Sequence, residues 1–321
     1  TTRHAAAARS KSRSNLQYDS DPLVATIKKD LYVSPSQLTT KWSDIAGLQS
    51  AKQALQEAAI LPLLRPDLYT GLRTPPKGIL LYGPPGTGKT MLVKAVAHES
   101  ECLLFACSAS AMTSKWLGEG EKLVRTLFKM ALDVAPSIVF LDEMDALLSS
   151  RKDNEHEASR RFKTEFMIQM DGITKETSST TQGGVLILGC TNCPWDLDDA
   201  VMRRFQRRIY VPLPDADARY ALVQHLLHKT PHSLSERNTN ELVLKTEGFS
   251  CSDITSLASD AAFGPLRSLG GLQAIRDVKT QDVRPISIGD FREALATRQS
   301  GKSVSPALLK RYETWKKEQN A

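Results

Sequence analysis

The sequence predicts an α/β fold, with a parallel sheet flanked by helices and a small helical domain after it. Three observations carry this reading. From Gly78 onward, short apolar runs of strand length alternate with longer runs of helical spacing. A Gly- and Pro-rich turn, Gly83–Thr90, joins the first of those strands to the helix that follows. Beyond Pro214 only helical patterns remain.

Taken in order, residues 1–20 are rich in Ala, Ser and Arg and read as a disordered basic linker. Residues 21–214 read as the large α/β part and 215–321 as the helical part with a C-terminal helix. Leu23, Ile27 and Leu31 give Pro22–Leu31 a helical spacing, and Ser50–Leu64 reads as a second helix ended by Pro66. Strands are expected at Gly78–Tyr82, Leu103–Ser108, Ser137–Leu141, Val185–Gly189 and Arg208–Val211. Between them, Met91–Glu99, Leu123–Val134 and Ser159–Met170 read as helices, and Thr174–Gly184 as a Ser/Thr-rich loop. In the last third, Asp217–His228, Asn240–Thr246, Ser252–Gly264 and Ile288–Thr297 all look helical.

Composition narrows the class. A 41% apolar share over 321 residues is ordinary for a globular chain and allows a sizeable core. The net charge of +6 favours acidic partners, although acids and bases are nearly balanced and much of that charge reads as solvated surface. The five cysteines are odd in number and show no disulfide-like spacing, which points to a reducing compartment. No apolar run approaches the ~20 residues that span a bilayer. The chain opens on Thr, so it is expected to be a piece of a longer protein whose remainder could carry targeting information.

The most specific signal is Gly83-Pro84-Pro85-Gly86-Thr87-Gly88-Lys89-Thr90, which fits the phosphate-binding pattern G-x-x-x-x-G-K-[ST] between a strand and a helix. Glycines let backbone N–H groups face phosphate oxygens, and the helix N-terminus adds a field that favours anions. Lys89 can reach the β- and γ-phosphates of ATP, and Thr90 can offer its hydroxyl to Mg²⁺. Ser137–Leu141 then delivers Asp142 and Glu143 to the end of a strand, where the phosphates lie in such folds. Asp142 suits the Mg²⁺ shell and Glu143 suits a general base that polarises the attacking water. Asn192 ends the next strand, where a turn former is the ordinary reading. Arg203 and Arg204 present planar forks suited to phosphate, but their spacing favours an internal ion pair with Asp198 or Asp199. Cys190 and Cys193 have C-x-x-C spacing without the context of a redox or zinc site. His156, between two glutamates, reads as a surface histidine. In Lys115-Trp116-Leu117 the tryptophan is either core or, if exposed, a gripping residue for an extended chain.

Together these motifs resemble the AAA ATPases, in particular the branch that holds spastin, katanin, fidgetin and Vps4. The resemblance runs from Trp42 to the C-terminus. It rests on Asp44-Ile45-Ala46-Gly47-Leu48, the phosphate loop, Thr113–Val124, Glu155–Arg161, Thr191–Trp195, Arg203–Phe205 and Ser303–Pro306. It implies a P-loop NTPase sheet with a helical lid, ATP and Mg²⁺ as cofactors, and nucleotide contacts from Asp44–Gly47 and from Gly83 through Met91. It implies that Asn192 reads the γ-phosphate and that Arg203 and Arg204 reach into a neighbouring subunit's site. Lys115, Trp116 and Leu117 would form a first pore loop, and residues near Glu155–Arg161 a second. The family works as a hexameric ring that pulls a polypeptide through its channel.

Within that branch, the short connection at Leu272–Pro285, Ala262–Arg267 and the ending Ser303–Trp315 resemble the microtubule-severing members, whereas Trp116 resembles Vps4 and Pro194-Trp195 resembles both Vps4 and katanin. The expected substrate is therefore a tubulin tail, with ESCRT-III or another protein complex as the alternative and a scaffold with little turnover as a third. No specific nucleic-acid partner and no transmembrane segment are expected. The expected location is the cytoplasm, on the cytoskeleton, or the nucleus. One departure stands out: Cys251 replaces a glycine usual in the family's turn and would be strained if that turn needs a positive φ.

Overall fold

The structure is a computed structural model. It describes residues 22–69, 71–108, 120–148, 157–176, 184–228, 230–269, 276, 279–297 and 302–320. The chain divides into two compact units. One contains residues up to Trp42, Lys52–Tyr82 and Thr90–Ile209; the other contains Ser43–Ala51, Gly83–Lys89 and the residues from Tyr210 on.

The first unit is built on a six-stranded sheet of β1 (Tyr32–Val33), β2 (Gly78–Tyr82), β3 (Leu103–Ser108), β4 (Ser137–Asp142), β5 (Val185–Thr191) and β6 (Arg207–Tyr210), in the order β1-β3-β4-β5-β2-β6. Strands β2, β3, β4 and β5 pair in parallel. Every residue of β2 and β5 is buried, which is why both read as unbroken apolar runs. Each fully buried Leu, Ile or Val there contributes about 1.5–3 kcal/mol relative to exposure. The expected parallel sheet carries one antiparallel strand at its edge. β1 runs antiparallel to β3, with Tyr32 opposite Phe105 and their rings meeting edge to face at 5.8 Å. Two residues carry no readable alternation, so this strand left no signal in the sequence.

The helices before and among these strands are α1 (Pro22–Asp30), α2 (Gln49–Leu55), α3 (Leu61–Leu64), α4 (Lys89–Glu99), α5 (Gly120–Asp133), α6 (Met144–Leu147), α7 (Glu157–Glu176) and α8 (Asp199–Arg204). A π-helical stretch, Gln56–Ile60, links α2 and α3. α5 buries Leu123, Val124, Leu127, Phe128 and Ala131, a stripe at helical spacing. Phe128 meets Phe166 of α7 edge to face at 5.5 Å, and Arg125 pairs with Glu165 at 3.0 Å.

The second unit holds α9 (Ala216–Leu227), α10 (Glu236–Lys245), α11 (Cys251–Ala262), α12 (Gly264–Arg267), α13 (Ile288–Thr297) and α14 (Pro306–Asn320). Its core gathers Val223, Leu227, Leu242, Phe249, Ile254, Leu257 and Phe291. Among the described residues no helix is long and apolar enough to cross a membrane.

Candidate nucleotide site

The phosphate loop Gly83–Lys89 is shaped by three glycines with positive φ: Gly83 at 151°, Gly86 at 72° and Gly88 at 92°. A Cβ at Gly83 would run into the Val211 carbonyl. At Gly88 a Cβ would meet nothing within 4 Å, so there the demand for glycine is conformational alone. The Thr87 hydroxyl donates to the Pro84 carbonyl at 2.9 Å and tightens the turn. Lys89 is 8% exposed, and its ammonium donates to the carbonyls of Gly83 at 2.8 Å and Pro84 at 2.7 Å. This holds the cation over the loop's own backbone, where a phosphate's oxygens could take the place of those carbonyls.

The loop is also braced within its own unit. The Ser252 N–H donates to the Gly86 carbonyl at 3.1 Å, and a Cβ on Gly86 would lie 2.8 Å from both Ser250 Oγ and Ser252 Cβ. Ser250 caps α11, and its hydroxyl and N–H both donate to Asp253, at 2.8 and 2.9 Å. Ser303 donates to the same carboxylate at 2.8 Å. Partial burial pushes the Asp253 carboxyl up, yet the donors from Ser250 and Ser303 outweigh it and hold the acid below its usual range.

In the sheet unit, the Thr90 hydroxyl donates to Asp142 Oδ2 at 2.8 Å. Asp142 Oδ1 accepts the Glu143 N–H at 3.0 Å. Glu143 is exposed and left-handed, at φ 53° and ψ 46°. That conformation costs a non-glycine residue about 1–3 kcal/mol and clusters at functional sites. Beyond it, Met144 is fully buried in the hollow left by Gly189, where a Cβ would strike its sulfur. Asn192 follows the end of β5, and its N–H donates to Asp145 Oδ1 at 3.3 Å. The hydroxyl–carboxylate pair of Thr90 and Asp142 is a donor set of hard oxygens that fits Mg²⁺, and the lysine-filled glycine loop fits a polyphosphate.

Comparison with known proteins agrees with this architecture. Residues 79–213 match the ATPase family associated with various cellular activities (AAA). The chain is 48% identical to spastin of Danio rerio over 318 residues, covering 99% of this chain and 54% of that protein. It thus spans about half the length of this curated relative. A crystal structure of the FIGL-1 AAA domain in complex with ADP superposes with a TM-score of 0.83 at 41% identity, covering 95% of this chain and 98% of that one. The chain belongs to the AAA ATPase family. A structure described as the basis for katanin self-assembly superposes on this AAA chain at 0.78 with 38% identity, covering 94% of this chain and 98% of that one.

The remaining expected residues of the AAA chain fall as follows. Asp44 ends a short 3-10 turn, Ile45 is buried, Ala46 is half-buried, and Gly47 has φ 63° with no room for a Cβ beside Ala218. Met91 is exposed on α4. Arg204 does form an internal ion pair, but not with Asp198 or Asp199. Its fork grips Asp171 at 2.8 and 2.6 Å, and it donates to the Ala200 carbonyl at 2.7 Å. Asp198 instead caps α8 by accepting the Ala200 N–H. Arg203 is exposed.

The expected strain at Cys251 is overturned. Its predecessor Ser250 is the N-cap, Cys251 is the first residue of α11, and the positive φ in this stretch falls on Gly248 at 78°. Any residue adopts a helical first position, so cysteine fits there. Burial pushes its thiol up to about 11. Cys190 and Cys193 form no disulfide, and the first is buried in β5. Lys115, Trp116, Leu117 and His156 lie outside the described residues. Sequence reading missed Asp145 and the Ser250–Asp253 brace. The signals were present: a third acid shortly after Asp142-Glu143, and a Ser-x-x-Asp capping pattern.

Proposed function

We propose that this chain binds ATP with Mg²⁺ and hydrolyses the γ-phosphate, as one subunit of a hexameric ring that pulls on a polypeptide. The observation that carries the reading is the 2.8 Å bond between Thr90 and Asp142, which joins the first turn of α4 to the strand-end acid. Asp44–Gly47 and Gly83–Met91 would line the nucleotide, with the loop amides and Lys89 on the phosphate oxygens. Thr90 and Asp142 would hold Mg²⁺, which supplies charge neutralisation at the β- and γ-phosphates. Glu143 takes a proton from water as the water oxygen attacks the γ-phosphorus; the bond to the bridging oxygen breaks, leaving ADP and phosphate. Asn192 would contact the γ-phosphate. Arg203 is the better candidate for a finger into a neighbouring site, because Arg204 would first have to leave Asp171.

The substrate we propose is the acidic tail of tubulin, pulled so that the microtubule itself is severed, in the cytoplasm or the nucleus. The likeness to spastin and to katanin supports it, as does the net charge of +6. Lys115, Trp116 and Leu117 would grip the tail. Disassembly of ESCRT-III filaments is the second reading, favoured by the Trp at position 116.

The test is ATP turnover and filament severing with the native chain and with Glu143→Gln. The variant should bind ATP yet lose about 10²–10⁴-fold in kcat and all severing. Native turnover should rise with added microtubules. Intact filaments in the presence of native enzyme and ATP, with turnover unmoved, would sink the tubulin assignment. Equal turnover in the two chains would sink the assignment of Glu143.

A further inference from the structure

Asp145 stands outside the roles given above, yet it ties α6 to the end of β5. Its Oδ1 accepts the Thr191 hydroxyl at 2.6 Å and the Asn192 N–H at 3.3 Å. Thr191 Oγ1 in turn accepts the Cys193 N–H at 3.0 Å. The N–H groups on Asn192 and on the residue after it are thus both held, one by the carboxylate and one by the hydroxyl that the carboxylate binds. An acid in the first turn of a helix ordinarily serves that helix's own N–H groups. Here α6 has no side-chain cap, and the carboxylate reaches across to β5.

The same short segment is anchored twice more. Asp142 accepts the Glu143 N–H, and Met144 fills the hollow at Gly189 in β5. Glu143, left-handed and exposed, stands between these anchors. We infer that Asp145 is a positioning residue that locks Asn192 at the tip of β5 to the turn bearing Glu143, so that reading the γ-phosphate and activating water depend on one rigid unit. The inference rests on the proposed roles of Asn192 and Glu143. A charged acceptor suits the task, because hydrogen bonds to an ionised group are roughly twice as strong as neutral ones.

The experiment uses Glu143→Gln chain, in which bound ATP persists, and measures ATP and ADP affinity by displacement of a fluorescent nucleotide, with and without Asp145→Ala or Asp145→Asn. Asp145→Ala should leave ADP affinity within about twofold and cut the preference for ATP over ADP by about tenfold, the scale of one lost charge-assisted bond. Asp145→Asn should fall between, because its amide oxygen still accepts from Thr191. Thr191→Val should add little on top of Asp145→Ala, since both break one network. Parallel loss of ATP and ADP affinity in both Asp145 variants marks a structural role and overturns the inference, as does an unchanged ratio. If the native chain hydrolyses ATP and Glu143→Gln does not, an unchanged ratio overturns the role of Asp145 alone. A native chain without turnover overturns both this inference and the reading beneath it.

Discussion

At Gly86 a backbone demand and a packing demand coincide. Its φ of 72° costs an alanine about 1–2 kcal/mol, and the added Cβ would press on Ser250 and Ser252 at 2.8 Å. Gly86→Ala should therefore weaken nucleotide binding by about tenfold or more, measured by fluorescent-ADP titration, with Tm reduced only slightly. Affinity within twofold of the native chain would show that the loop can relax away from α11. Cys251, which lies between the two clash points, carries no such demand. Its helical first position explains why a cysteine can stand where the family's turn usually has glycine. The sequence carried the deciding signal in Ser250-x-x-Asp253, a capping pattern that puts Cys251 at the first helical position.

Three helix starts in the second unit share one device. Ser235–Asn238, Ser250–Asp253 and Ser287–Asp290 each pair a serine with an acid or amide three residues on. Asp290 is the most heavily loaded: it accepts from Arg284 at 2.7 and 2.8 Å and from the Ser287 N–H and hydroxyl at 2.8 Å each, at 4% exposure. The Arg284 guanidinium holds this carboxyl well below the usual range, against the upward push of burial. A depressed folded-state value means that the stabilisation is complete above the ordinary carboxylate pKa of about 4 and fades as pH falls toward the depressed one. Asp290→Asn should cost about 2 kcal/mol at pH 7, and its Tm deficit against the native chain should shrink between pH 4 and pH 2. A constant deficit would show that Asp290 acts by shape, not charge. These boxes were legible in the sequence as Ser-x-x-Asp and Ser-x-x-Asn. The strands were more so: β2, β3 and the starts of β4 and β5 fall where their apolar runs predict, because burial of the sheet favours apolar residues. The antiparallel β1 and the π-helical Gln56–Ile60 were not, since both are settled by partners rather than by their own residues.

For the chain as a whole, the proposed site draws an arginine from a second copy, so specific ATPase activity should rise with protein concentration before it levels off. A dilution series read by phosphate release checks this, and activity strictly proportional to concentration would argue for self-contained sites. Arg203→Ala should flatten the curve, while Arg204→Ala should also lower Tm by freeing Asp171. The phosphate-binding half of the site was legible because G-x-x-x-x-G-K-[ST] and Asp142-Glu143 are contiguous. The Arg204–Asp171 pair was not, because 33 residues separate its partners. The sheet's two outer strands bear on how many copies can crowd together without harm. β1 offers only two residues of backbone along one side, and β6 carries exposed Arg207 and half-buried Arg208 along the other. Neither side is a good template for another strand. Copies brought to high local density are thereby steered away from joining sheet to sheet into fibres, so an ordered assembly has little competition from an irreversible one.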